Sequence, residues 1–187
     1  MSEKGALYKS EASYENIYKE ATSLFRQVRD IPYRLGLDGN PNKLFRENAG
    51  NCTRKHLRLI PDLVRLGYTV KLGVTEFDWR ELPVPSEILK LLRNPIDTHL
   101  FLYVSLNGNE MKVDATWDSS LQSLGFKIND WNGYSSTDLG VRAQKIIISG
   151  YQILQLRTKF APIFNLFRKN KQEPTPFNDA FNTWLGR

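Results

Sequence analysis

The 187-residue chain contains one cysteine, two histidines and two methionines. One cysteine excludes an intrachain disulfide, which suits a reducing compartment and leaves a single thiol to be accounted for chemically. No uninterrupted apolar run approaches the ~20 residues that a bilayer-spanning helix requires. The opening Met1-Ser2-Glu3-Lys4-Gly5 lacks the apolar stretch of a signal peptide, so the expected location is cytoplasmic. Acidic residues are missing from Leu139 to Gln172, where Arg142, Lys145, Arg157, Lys159, Arg168, Lys169 and Lys171 supply seven positive charges. The net charge of the whole chain is +6, so the remainder is close to neutral. Basicity confined to one segment gives no reason to expect a nucleic-acid partner.

Hydrophobic residues make up 41% and charged residues 25%, the balance of a soluble globular protein. The length fits a single domain over 1–187, able to bury a core without a disulfide or metal. Tyr14, Ile17, Tyr18, Ala21, Leu24, Phe25 and Val28 recur at helical spacing, and Ile31-Pro32 ends that helix. Residues 34–50, with Gly39-Asn40-Pro41, read as a loop leading to Cys52. Leu57, Ile60, Leu63 and Val64 predict a second amphipathic helix stopped by Gly67, with Pro61 expected to kink or divide it. Tyr68–Phe77 reads as a strand, and 78–98 as a connection with a short helix from Ser86 to about Arg93. His99–Leu106, Asn107-Gly108 and Glu110–Thr116 form the strongest hairpin signal in the chain. A further strand is read near Lys145–Ile148, with the start of a helix as the alternative. Helices followed by an antiparallel sheet make an α+β domain.

Cys52 follows the polar, flexible Asn48-Ala49-Gly50-Asn51 and opens a predicted helix. Free N–H groups and the helix dipole stabilise a thiolate in that position and can hold a developing oxyanion. The competing reading is a buried, inert cysteine. A thiol nucleophile needs a base, and His99 has the better placement. With Asn107-Gly108 as a two-residue turn, cross-strand partners sum to 215, so His99 faces Thr116 and Asp114 is its diagonal neighbour on the same face. Diagonal neighbours lie about 7–8 Å apart, near enough for an Asp–His hydrogen bond. Asp118 shares the parity and is the rival if the turn is longer. His56 reads as a solvated or packing residue among Arg54, Lys55 and Arg58. Cys52, His56, His99 and Asp114 as zinc ligands form a disfavoured alternative.

Gly50-Asn51-Cys52, then a helix and a strand, then a strand-borne His99, then Val113-Asp114-Ala115-Thr116-Trp117-Asp118, resembles the transglutaminase-like superfamily. The resemblance covers about 14–118 and leaves a basic and aromatic extension over about 140–187. It implies a papain/transglutaminase-like core with N-terminal helices packed on an antiparallel sheet. Carried over, Cys52 matches the nucleophile, His99 the general base and acid, and Asp114 the orienting carboxylate. The implied activity is thiol-based acyl transfer or hydrolysis on protein or peptide amide carbonyls, with no cofactor. The alternative is a catalytically silent binding or scaffold domain. Leu100-Phe101 after the histidine departs from the family's small residue and Trp, and Asn51 is the one upstream candidate for assisting an oxyanion.

Trp79 and Trp117 flank the expected site and are candidates to line an acyl groove, with core packing as the competing reading for Trp117. Phe160, Ile163, Phe164 and Phe167 form an apolar helical stripe among the basic residues of 157–171. A helix packed on the domain is the preferred reading there, over contact with an anionic membrane surface. Pro174-Thr175-Pro176 introduces a final short helix with Phe177, Phe181, Trp184 and Leu185.

Overall fold

The computed structural model describes residues 11–148 and 175–187. The basic amphipathic stripe of 157–171 lies outside the described residues. Helix α1 (Glu11–Arg29) buries Ile17, Ala21, Phe25 and Val28, one face of its 3.6-residue repeat. A 3-10 turn (Pro41–Lys43) and the short α2 (Leu44–Glu47) interrupt the expected loop. Helix α3 (Cys52–Arg65) runs through Pro61 as one element. Pro61 is exposed, so the bond its missing N–H forfeits lies on the solvent side and neither division nor a break follows.

Strand β1 (Thr69–Asp78) leads through a 3-10 turn and the one-turn α4 (Ser86–Leu89), shorter than predicted, to β2 (Ile96–Leu106). The hairpin closes on β3 (Asn109–Val113) with positive φ at both Asn107 and Gly108, the geometry of a two-residue type I′ turn. Leu106 pairs with Asn109 and Leu102 with Val113, as that turn requires. A long excursion ends in β4 (Lys145–Ile148), which pairs with β1, so the sheet order is β3-β2-β1-β4 with every pair antiparallel. Helix α5 (Pro176–Trp184) follows the C-terminal undescribed segment and is capped by Thr175. The architecture is mixed α and antiparallel β, an α+β fold. Among the described residues no helix is long and apolar enough to cross a membrane.

Two apolar clusters hold these layers together. The larger lies between α1, α3 and one sheet face, where Val70, Leu72, Leu100, Leu102, Val104, Met111 and Val113 meet Phe25, Leu59 and Leu63. The second gathers Tyr33, Phe77, Trp79, Trp117, Phe126, Phe177 and Phe181 and docks α5 against the chain entering the cysteine loop. There Asn182 donates to and accepts from the backbone of Leu35, so α5 is fixed by a polar clamp as well as by its aromatic face.

Gly73 pairs with Phe101 across β1 and β2, and a Cβ at Gly73 would lie 2.5 Å from the buried Phe101 ring. Gly73→Ala should therefore destabilise by about 1–3 kcal/mol through overpacking. Denaturant melts of Gly73→Ala, Phe101→Leu and the double variant check this. The double variant should lose less than the sum of the single losses.

Candidate functional site

The loop before Cys52 is shaped from inside by Arg54, which is 1% exposed. Its guanidinium donates to Asp38 Oδ1, the Asp38 carbonyl, Glu47 Oε2 and the Ala49 carbonyl. Gly50 is required because a Cβ there would sit 2.5 Å from Leu44 Cδ1 and 2.9 Å from Lys55 Cγ. Asn51 then caps α3: its Oδ1 accepts from the Arg54 N–H at 2.9 Å, and its Nδ2 donates to the Leu37 carbonyl at 3.0 Å. That capping role replaces the oxyanion role read for Asn51 from sequence, because its side chain is turned to its own helix and loop. Cys52 is the first residue of α3 and is partly exposed. Among the described residues, no acceptor takes the backbone N–H of Cys52 or Thr53, so two donors at the positive end of the helix remain for a ligand.

His99 lies in β2, opposite Thr75 of β1, and its ring is almost fully buried. Its Nε2 is 2.7 Å from Asp114 Oδ2. The Cys52 thiol, whose Sγ lies 4.0 Å from Thr53 Oγ1, is near enough to the ring to act on its charge. Burial alone would lower the imidazole. The charge and hydrogen bond of Asp114, with the thiol's contribution, outweigh it and push His99 up to about 10. Asp114 is fully buried just past the end of β3, and its carboxylate also accepts from the N–H of Gly140 at 2.7 Å and of Thr116 at 3.0 Å. Burial would raise it, but the His99 charge and hydrogen bond, His56 and the Gly140 N–H hold it well below the usual carboxylate range.

Asp118 is turned elsewhere. It accepts from the Tyr33 N–H at 2.7 Å, from Arg187 at 2.9 Å and from Ser120 Oγ, tying the cysteine loop's entrance to the C-terminal residue. Trp79 and Trp117, candidates from sequence for an acyl groove with core packing as the competing reading for Trp117, are both interior residues at 2% and 3% exposure. Trp79 packs on Phe177 and Phe181 and bonds Asp97, while Trp117 packs on Tyr33 and Phe126 and donates to the Gly140 carbonyl. Their large apolar rings are worth more inside the second cluster than on its surface.

Arg54, Lys55 and His56 are all buried, which takes the packing side of the two readings of His56, solvated or packing. Lys55 Nζ donates to the carbonyls of Arg29 at 2.7 Å and Thr116 at 2.8 Å. Burial pulls it down to about 7 against the opposing pull of Asp118, Asp30 and Asp114. His56 lies between the Cys52 carbonyl and the Ala115 N–H, at 2.7 and 2.8 Å. With both ring nitrogens so committed, the zinc arrangement does not assemble. Among the described residues no group of three or more His, Cys, Asp or Glu is placed to hold a metal ion.

Two positions at the site escaped the sequence reading. Gly140 supplies a backbone N–H to Asp114, and a Cβ on it would strike the Trp117 indole at 2.7 Å. Tyr33 bridges to Gly50 and carries a buried phenol whose proton is held by burial first and then by the charges of Cys52, Asp97 and Asp114. A lone glycine and a tyrosine after a proline carry no signal of such roles.

Asp114→Asn should lower the alkylation rate of Cys52 by roughly a hundredfold with the fold retained. Asp118→Asn should slow alkylation far less, by under about tenfold, and cost about 1–3 kcal/mol of stability through its buried bonds. Alkylation kinetics and thermal melts of the two variants separate the roles.

Stability should also fall on mild acidification. Burial lowers His56 from 6.5 to about 4, so the unfolded chain binds the extra proton first and stability drops as pH falls from 6.5. The loss should reach about 2 kcal/mol by pH 5, above the range where ordinary carboxylates titrate. Above pH 7, Lys55 adds stability as pH rises while His99 loses it over nearly the same window, so that limb should be close to flat. Denaturant melts across pH 5–9 check both limbs.

In comparisons with known proteins, no family model and no curated protein matches this chain.

Proposed function

We propose that the chain is a thiol enzyme with a papain/transglutaminase-like core, acting on amide or peptide carbonyls through Cys52, His99 and Asp114. The observation that carries this is the buried His99–Asp114 pair, 2.7 Å apart, with a partly exposed thiol at a helix N-terminus near enough to act on the ring's charge. The attacking form of a cysteine nucleophile is the thiolate, and an imidazole whose charge is held by Asp114 beside the sulfur offsets that negative charge as it attacks.

The steps use groups already in place. Cys52 Sγ forms a bond to the carbonyl carbon, and the carbonyl π pair moves to oxygen. The unpaired N–H groups of Cys52 and Thr53 face the charge that develops at the helix end. As the tetrahedral adduct collapses, the C–N bond breaks and the His99 imidazolium gives its proton to the departing amine. Water or a second amine then attacks the thioester while His99 takes the proton, and the thiolate leaves. Asp114 holds the ring's orientation and its charge through both half-reactions. No step requires a cofactor.

Iodoacetamide alkylation across pH 5–9 tests the nucleophile, because only Cys52 can react as a thiol. His99→Ala should alkylate at least tenfold more slowly than wild type across that range. Incubation with a glutamine-containing peptide pool and a fluorescent primary amine then tests the reaction. Amine incorporation marks transfer and ammonia release without incorporation marks hydrolysis, each abolished by Cys52→Ala. Wild-type alkylation in His99→Ala would remove the basis for the reading.

A further inference from the structure

We infer that His56 is a positioning residue for this site: its imidazole, held as one neutral tautomer, couples the backbone of the nucleophile to the strand end that carries Asp114. The inference rests on the thiol reading above and concerns the second histidine, for which that reading has no use.

The tautomer follows from the partners. Ala115 N–H is a donor and points at His56 Nε2 from 2.8 Å, so Nε2 must be an acceptor without a proton. The neutral ring then carries its hydrogen on Nδ1, which donates to the Cys52 carbonyl at 2.7 Å. One rigid ring thus spans from residue 52 to residue 115 and sets the distance between α3 and the chain leaving β3. Asp114 and Ala115 share a peptide unit, so fixing the Ala115 N–H also fixes the backbone from which the Asp114 carboxylate reaches His99.

His56 cannot serve as the base in this arrangement. The ring is fully buried, and protonation would set N–H against N–H at Ala115. The groups around it are Asp114 Oδ1 at 3.6 Å, the His99 ring at 6.2 Å edge-on, and Lys55 beside it on α3. A charged His56 would compete with His99 for the same carboxylate. Neutrality at His56 therefore preserves the single charged imidazole that the thiol needs. Thiol–imidazole alignment is sensitive to small displacements, so loosening this link should slow the thiol even where the fold persists.

The first test uses the unaltered protein. The chain has two histidines, so nitrogen-15 NMR of the ring nitrogens at pH 7 resolves each of them. His56 should appear as the neutral Nδ1–H tautomer beside a charged His99. A His56 imidazolium, or the Nε2–H tautomer, would overturn the inference. The second test compares alkylation profiles of folded variants across pH 5–9, with Asp118→Asn as a destabilised control. His56→Gln can still accept from Ala115 N–H and should stay within about threefold of wild type, whereas His56→Leu should slow by about ten- to a hundredfold below pH 7. Wild-type kinetics in His56→Leu, with His99→Ala silent, would refute the role of His56 alone. Wild-type kinetics in both would refute the thiol reading beneath it.

Discussion

A carboxylate removed from water is costly unless its lone pairs are used, and the Asp114 carboxylate meets that condition with three donors. His99 Nε2 and the backbone N–H groups of Gly140 and Thr116 all converge on it, from three separate stretches of chain. Removing one partner of a buried charge leaves the other uncompensated, at a cost of about 3–5 kcal/mol. The strand bearing His99, the turn after β3 and the loop around Gly140 are therefore fixed relative to one another by one side chain. Asn129 reinforces the junction by donating to the Asp114 and Asp138 carbonyls. The backbone N–H of Asp114 is taken by Thr137 Oγ1.

Helix α3 meets this junction with polar side chains where an ordinary core helix would present leucine. Arg54, Lys55 and His56 occupy the turn after Cys52, and each bonds backbone groups in the interior that would be costly to leave unpaired. Arg54 organises the loop on the N-terminal side of the thiol, while Lys55 and His56 reach the strand end beyond it. One turn of helix later, Leu59, Ile60 and Leu63 return to conventional packing against the sheet. The proposed nucleophile thus sits at the boundary between a hydrogen-bonded scaffold and an apolar core. Such a scaffold can hold a reactive group to fractions of an ångström because its geometry is directional.

The second cluster explains why the aromatic residues near the site are buried. Trp79 packs on α5 and Trp117 on Tyr33 at the entrance to the cysteine loop, and the Trp117 indole holds the carbonyl of Gly140, the residue whose N–H binds Asp114. Aromatic packing is thereby linked to the polar junction through Gly140. Asp118 adds a second link by joining Tyr33, at the entrance to the cysteine loop, to Arg187. The C-terminal helix and its final residue take part in shaping the ground on which the thiol stands.

What the sequence determined by itself was local. Apolar spacing along α1 defines its buried face without reference to any partner. The Asn107-Gly108 turn sets the hairpin register over Leu102–Leu106, and that register brings Asp114 to the His99 side chain even though the ladder ends at Val113. Turn chemistry acts over two residues and strand alternation over the next few, so both are readable from neighbours in the chain. Burial of Lys55 was not readable, because its acceptors are carbonyls 26 and 61 residues away. A carbonyl has no residue identity to reveal it in advance. The same holds for Gly140, whose contribution is a backbone N–H, and for α5, clamped to Leu35 across 147 residues. Tertiary structure alone decided which charges go inside, because an interior charge is stable only where distant backbone converges on it.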